Sequence, residues 1–282
     1  MIEIPEGGFQ VVLADPPWRY ANWSDTSRGA QQAHYPGMTY AQMAELTPFL
    51  SSIFAYNMVS VMWGTWPKAD EAMDLCREKT NNGIKTGGWP CKYVTGFPWI
   101  KVSPGSGRVK RGVGFWAMGA SEFCFISRRQ STRKGAPKLK AEKLDKNVIG
   151  LLCGSERQFY DRIGQHSRKP YGIAQYLEDR FPGVPKLELF ATEEREGWTC
   201  IGHRTGYHIT PEGIITVDEA KAQGRLPKNY DPFAEPKRKL PPKIKDDVPL
   251  PAQLIADLVT PVTSLPLTVD HLAGLESAMG EF

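Results

Sequence analysis

With 282 residues, 41% of them hydrophobic, the chain can hold one α/β domain of about 200 residues plus an appendage, and no apolar run approaches the ~20 residues of a membrane span. Lys and Arg (35) exceed Asp and Glu (31) by only four, too small an excess to identify a nucleic-acid partner by itself. Cys76, Cys91, Cys124, Cys153 and Cys200 are scattered without a Cys-x-x-Cys pair, the five histidines lack ligand spacing, and residues 1–10 show no basic apolar leader; this argues against disulfides, a metal site and secretion, and for a cytoplasmic protein.

Val11-Val12-Leu13-Ala14 predicts a short strand buried on both faces, as in a parallel sheet. Asp15, Pro16, Pro17 and Trp18 follow at once, and because prolines cannot extend a central strand the chain must leave the sheet at Asp15. Ligands of open α/β sheets bind at the carboxyl ends of strands. The Asp15 carboxylate and Pro16 carbonyl there suit the amino hydrogens of an aromatic ring, on which Trp18 would stack. The alternative is a plain Asp-Pro-Pro turn with Trp18 in the core, since Asp and Pro are common turn residues.

Residues 19–37 are polar, rich in Gly, Ser and Asn, and predict a loop. Thr39-x-x-Gln42 is a capping box opening a helix with Met43, Leu46 and Leu50 on one face. Met58 to Trp63 predicts a second buried strand, and Pro67 the first turn of a helix carrying Ala69, Ala72, Met73 and Cys76, stopped by Asn81-Asn82-Gly83. Lys92–Lys101 and Ser121–Ser127 predict further strands around the Gly-rich, basic loop 103–114.

Between residues 101 and 140, ten basic residues (Lys101, Arg108, Lys110, Arg111, Arg128, Arg129, Arg133, Lys134, Lys138, Lys140) face the single acid Glu122, a stretch suited to phosphates, or to a solvated face. His166-Ser167-Arg168-Lys169-Pro170 leads a helix to about Arg180 with Ile173, Ala174, Leu177 and Phe181 as its apolar face. Pro182-Gly183 ends that helix, and Lys186 to Ala191 predicts another strand. Strands alternating with helices, on connections too long for hairpins, predict an α/β fold with a mostly parallel sheet and helices on both faces. We expect a domain over 1–206, an extension over 207–226, a linker over 227–251 with seven prolines and a basic patch (Lys237, Arg238, Lys239, Lys243, Lys245), and a tail over 252–282 with room for a short helix.

Asp15-Pro16-Pro17-Trp18 resembles the catalytic motif of the N6-adenine methyltransferases related to the catalytic subunit of the eukaryotic mRNA adenosine methyltransferase, a family with prokaryotic and phage members. The resemblance covers about residues 9–204. Tyr35-Pro-Gly-Met38-Thr39 is similar to the family's Tyr-Gly-Thr-Met-Ser, Trp99-Ile-Lys101 to Trp-Val-Lys, Gly114-Phe-Trp116 to Gly-His-Trp, Ser167-Arg-Lys169-Pro170 to Ser-His-Lys-Pro, and Lys186-Leu-Glu188-Leu-Phe190 to Lys-Ile-Glu-Leu-Phe. Each piece is weak alone; five in order beside the tetrapeptide are specific.

The resemblance implies a Rossmann-like methyltransferase fold with permuted motif order, S-adenosylmethionine as cofactor, and a nucleic-acid substrate. By it, Asp15, Pro16, Pro17 and Trp18 are catalytic, Tyr35, Trp99, Lys101 and Trp116 meet the substrate, and Asp15, Lys169, Glu188, Phe190 and His203 the cofactor. Lys169 would also stand at a helix start, where free N–H groups favour anions. Two departures stand out. Thr192 occupies the place of a family Arg, and Trp198…Gly202-His203-Arg204 replaces a Gly-Asn-Gln or Gly-Asn-Glu ending that holds the ribose, so His203 is either a ribose donor or a surface residue. No Gly-x-Gly-x-x-Gly occurs. DNA is the favoured substrate, RNA the alternative, and a homo- or hetero-dimer is allowed. An inactive nucleic-acid-binding partner subunit is a different class, opposed by the intact tetrapeptide; a small-molecule or protein amine methyltransferase is opposed by the basic 101–140 stretch.

Overall fold

The structure, a computed structural model, describes residues 2–20, 36–81, 84–101, 119–129, 169 and 172–233. Its first strand, β1 (Phe9–Ala14), is buried along nearly its whole length and alternates side chains between two hydrophobic layers. Val12 and Ala14 share one layer with Met43, Leu50, Ile53 and Leu75, whereas Val11 and Leu13 share the opposite layer with Val61, Ile173, Ala174 and Leu177. Full burial of each such aliphatic side chain contributes about 1.5–3 kcal/mol, so these two layers fix where β1 ends.

The helices supplying the layers are α1 (Tyr40–Glu45), α2 (Thr47–Ile53) and α3 (Ala69–Leu75) on one face and α4 (Gly172–Arg180) on the other. Strand β1 lies between β2 (Phe54–Gly64) and β6 (Lys186–Leu189) and is parallel to both; β7 (Thr199–Ile201) runs parallel to β6. On the far side of β2, β5 (Ser121–Arg128), β4 (Ile84–Ile100) and β3 (Arg77–Asn81) pair antiparallel, giving the order β3-β4-β5-β2-β1-β6-β7. The expected α/β architecture with helices on both faces is present, and the sheet is mixed. The strands on either side of residues 101–120, β4 and β5, are antiparallel neighbours, where the sequence pattern predicts parallel strands.

Two predicted helices change. The capping box forms, with the Gln42 N–H donating to Thr39 Oγ1 (3.3 Å) and the Thr39 N–H to Gln42 Oε1 (2.9 Å). Pro48 in the first turn of α2 then restarts the helix, leaving Met43, Leu46 and Leu50 buried together. After Pro67 the helix ends at Leu75, which is buried in place of Met73, and Arg77–Asn81 is a strand instead of a last helical turn. Asn81 therefore closes β3 instead of stopping a helix, and residues 82 and 83, between β3 and β4, lie outside the described residues. The cause is tertiary. Gly88 has φ +71° and lies so close to β3 that a Cβ there would meet the Arg77 carbonyl oxygen at 1.9 Å, so β4 draws the chain into pairing.

After β7 the extension forms an antiparallel hairpin, β8 (Tyr207–Thr210) with β9 (Gly213–Thr216), and a short helix α5 (Val217–Ala222) with its own capping box at Thr216 and Glu219. Val217, Ala220 and Leu226 form a separate small core. Of the predicted linker, residues 227–233 are described; residues 234–251 and the tail 252–282 lie outside the described residues. No helix among the described residues is long and apolar enough to cross a membrane, and no group of His, Cys, Asp and Glu among them is arranged to hold a metal.

Candidate active site

The chain leaves β1 where the prolines require it, and backbone bonds clamp the departure. The Asp15 N–H donates to the Leu189 carbonyl at 3.3 Å, and the Trp18 N–H donates to the Pro16 carbonyl at 2.8 Å, closing a tight turn over Pro17. The Met38 N–H donates to the Pro17 carbonyl (2.7 Å) and the Arg19 N–H to the Met38 carbonyl (3.1 Å), so residues 36–38 return to lie against the tetrapeptide. Tyr35, expected to meet the substrate, directly precedes this clamp and lies outside the described residues, as do Trp116 and the loop 103–114.

Trp18 is a correction. Its side chain is 3% exposed, belongs to the core layer under β1, and donates its indole N–H to the Trp63 carbonyl at 3.3 Å. The ring offers no open face for stacking; it pins the tetrapeptide to the end of β2. Tyr20 adds a second pin, its hydroxyl 2.5 Å from Thr65 Oγ1, and burial pushes that phenol up to about 12.

Four charges converge beside the motif. Lys169 places its ammonium 3.1 Å from Asp15 Oδ1 and 3.0 Å from Glu122 Oε2, and Glu122 Oε1 receives Lys101 at 2.5 Å. Lys169 also stands over the Trp63 ring (5.9 Å) and Lys101 over the Trp99 ring (5.4 Å), while Trp99 and Trp63 meet edge to face at 5.6 Å. The structure thus brings Asp15, Lys169, Lys101 and Trp99 together. It adds Glu122, 7% exposed, which sequence reasoning met only as the lone acid among ten bases.

Burial raises the Glu122 carboxyl, but Lys169 and Lys101 together outweigh it and hold the group below the usual carboxylate range. Asp15 responds the other way. Desolvation lifts its carboxyl above the ordinary value, with Lys169 opposing and the Glu122 charge adding to the rise. The Asp15 side chain is 31% exposed, so one carboxylate, held by one lysine, still faces outward.

One strand over, Glu188 lies in register with Leu13, and its Oε2 receives the Arg195 guanidinium at 3.0 Å, both side chains largely buried. Burial raises this carboxyl too, against the pull of Arg195. Thr192, at the place of the missing family Arg, is exposed; the guanidinium Glu188 meets comes from Arg195, three residues further on and outside the motif. Phe190 follows with φ +63°, a left-handed conformation costing a non-glycine residue roughly 1–2 kcal/mol, and stacks on Trp89 at 6.5 Å. Strain of this kind collects at functional sites.

His203 sits just past β7 at the same edge, but both ring nitrogens have partners in the extension: Nδ1 is 3.1 Å from the Tyr230 hydroxyl and Nε2 2.9 Å from His208 Nδ1. Burial, with His208 adding to it, drops its pKa to about 4, so the ring is neutral at pH 7. His203 ties the extension to the sheet, and a ribose hydroxyl would have to displace one of these partners.

The MT-A70 family model matches residues 9–204. The chain belongs to the MT-A70 family. The chain is 25% identical over 215 residues to the "Type II methyltransferase M.MunI" of Mycoplasma sp, covering 70% of this chain and 77% of that protein. It is 25% identical over 214 residues to the human "N(6)-adenosine-methyltransferase catalytic subunit METTL3", covering 74% of this chain and 30% of that protein. It thus spans most of the bacterial relative but under a third of the human one. Among solved structures, one similar chain is that of the "crystal structure of M1.HpyAVI-SAM complex", at TM-score 0.36 and 12% identity, covering 66% of this chain and 75% of that one. The resemblance read from the motifs is therefore the family found here, and the protein is an S-adenosylmethionine-dependent methyltransferase of the N6-adenine class.

Proposed function

We propose that the protein methylates the N6 amino group of adenine in DNA, with adenosine in RNA as the second reading. The observation that carries the reaction is the intact Asp15-Pro16-Pro17-Trp18 turn at the end of β1, with a carboxylate part-exposed and held by Lys169. Coverage of 77% of a bacterial type II methyltransferase supports DNA, and similarity to METTL3 keeps RNA as the alternative.

The strand ends fit S-adenosylmethionine. Asp15, just past β1, and Glu188, on the neighbouring β6, are carboxylates suited to the cofactor's amino and hydroxyl groups; Lys169, which bridges Asp15 and Glu122, is the cation nearest for its carboxylate, and Phe190 offers an aromatic wall. The bound cofactor supplies an electrophilic methyl group. Asp15 Oδ2 and the Pro16 carbonyl, whose second lone pair is not engaged by the Trp18 N–H, hold the two amino hydrogens of adenine. That draws the nitrogen lone pair out of the ring system. These hydrogen bonds strengthen as positive charge grows on the nitrogen, which is transition-state stabilisation. A raised carboxyl pKa also makes Asp15 a better acceptor for the amino proton released when the N–C bond has formed. In a duplex, the adenine must first leave the stack.

The test is transfer of tritiated methyl from S-adenosylmethionine to mixed-sequence duplex DNA and to RNA, followed by digestion to nucleosides. The expected product is N6-methyldeoxyadenosine, reduced about 100- to 1,000-fold in Asp15→Ala, the scale of losing one preorganised polar group. Label only in N6-methyladenosine from RNA would replace the DNA reading. Cofactor binding with no label in either polymer would overturn both.

A further inference from the structure

Trp66 is an aromatic ring that neither the core nor the reaction uses. It is 55% exposed, whereas the nearby Trp63 and the indole of Trp18 are buried. Yet it is not loose. Its indole N–H donates to Ser121 Oγ at 2.8 Å, its ring meets Phe123 at 5.2 Å and 61°, and Pro67 follows it in a turn of 3-10 helix. With the N–H edge bonded, the surface left outside is apolar ring. With its N–H bonded and its ring against Phe123, Trp66 presents its outer face in one orientation.

Its position relates it to the site. Trp66 follows Thr65, which holds Tyr20 on the chain leaving the tetrapeptide, and it stands just beyond the carboxyl end of β2, beside Asp15's own strand. Its partner Ser121 precedes Glu122, and from Glu122 the charges lead through Lys169 to Asp15. One residue and two ion pairs thus separate Trp66 from the group that would receive the target amine. Trp66 therefore belongs to the rim of the same edge and not to the group that would receive the target amine. The Lys101 ammonium, 35% exposed at the same edge, is placed to accompany a phosphate.

We infer that Trp66 is a stacking platform for a nucleobase flanking the target adenine. The inference rests on the nucleic-acid reading above and deepens it. Every base has a π face, so such a platform adds affinity without demanding one particular neighbour. It also gives a strand whose target base is withdrawn from the stack something to replace one lost stacking contact.

The test compares wild type, Trp66→Ala and Trp66→Phe on a fixed adenine-containing oligonucleotide, reading its KM, the kcat at saturation and the Kd by anisotropy. Trp66→Ala should raise KM and Kd roughly 5- to 100-fold, matching about 1–3 kcal/mol for one stacked base, with kcat within about threefold. Trp66→Phe, which keeps a π face but not the Ser121 bond, should recover part of the loss, and circular-dichroism melts of all three should agree within a few degrees, which a merely structural lesion would not give. Active wild type with Trp66→Ala unchanged in KM and Kd overturns the platform and leaves the methyltransferase reading intact. Loss confined to kcat overturns it too. Wild type that neither binds nor methylates any DNA or RNA overturns both.

Discussion

Glu122→Gln keeps the shape of the side chain and removes its charge, and the structure sets what that should cost. At about 3 Å and an effective dielectric of ~20, each ion pair has a gross attraction on the order of 5 kcal/mol, much of it offset by desolvation. Breaking a buried pair from one side costs about 3–5 kcal/mol because the other charge is left behind. Here Lys169, 14% exposed, keeps Asp15 at 3.1 Å, and Lys101, 35% exposed, can turn to water. The loss therefore belongs at the low end, about 3 kcal/mol, with less than about 1 of it from Lys101. In a domain of this size that lowers Tm by roughly 6–12 °C. Because Glu122 is held below its ordinary value of 4.5, its contribution is present above that pH and lost as pH falls through the lowered value. The gap between wild type and variant should be widest near neutrality and narrow only as pH falls below 4.5 through the lowered value. Urea denaturation across pH, with Lys169→Met completing a double-mutant cycle, measures both. A variant within about 0.5 kcal/mol of wild type at pH 7, with no coupling to Lys169, would refute the charge-cluster argument.

Asp15 should behave with the opposite sign. Its raised carboxyl favours folding below the ordinary 3.8 and loses that contribution as pH rises through the folded value, while activity needs the ionised form. The acid limb of kcat/KM should then lie above pH 3.8 and move further up in Lys169→Met, which removes a charge that lowers the Asp15 value; a limb moving down would contradict this. At Phe190, φ +63° should invert the usual order of small residues: Phe190→Gly is expected about 1 kcal/mol more stable than Phe190→Ala in urea, where ordinary positions favour Ala. His203, ordinarily near 6.5 and near 4 here, must stay neutral to keep its place beside His208 and Tyr230. Stability should be full above pH 6.5 and fall by up to about 3 kcal/mol toward pH 4, with a flatter profile in His203→Gln.

What could be read in the chain beforehand was whatever neighbours in sequence determine. The β1 run, the prolines that end it, the Thr39–Gln42 box and the α4 face at Ile173, Ala174 and Leu177 each depend on spacing within a few residues, and each is found. Residues whose state depends on distant partners were not legible. Arg77-Glu78-Lys79 has good helix formers, yet pairing with β4 makes it a strand, and strand direction in β4 and β5 leaves no mark in composition. The tetrapeptide itself could not tell a stacking Trp18 from a core Trp18, because the Trp63 carbonyl that captures its indole lies 45 residues away.

The missed charges follow one rule that the sequence does contain. Two lysines at a low-dielectric edge beside a single catalytic carboxylate leave an unbalanced positive charge, and burying an unbalanced charge is costly. Something acidic on a neighbouring strand was therefore required, and within the basic stretch 101–140 only Glu122 was available, among the apolar residues of β5. The same reasoning, started from Glu188 in its apolar run, demands a cation after β6 once Thr192 fails to supply it, and Arg195 is the first residue past Thr192 that can. Charge balance at the strand ends thus finds Glu122 and Arg195 where motif matching does not. Trp66 is of another kind: balance says nothing about a neutral ring, and only its exposure, with its N–H already bonded, sets it apart.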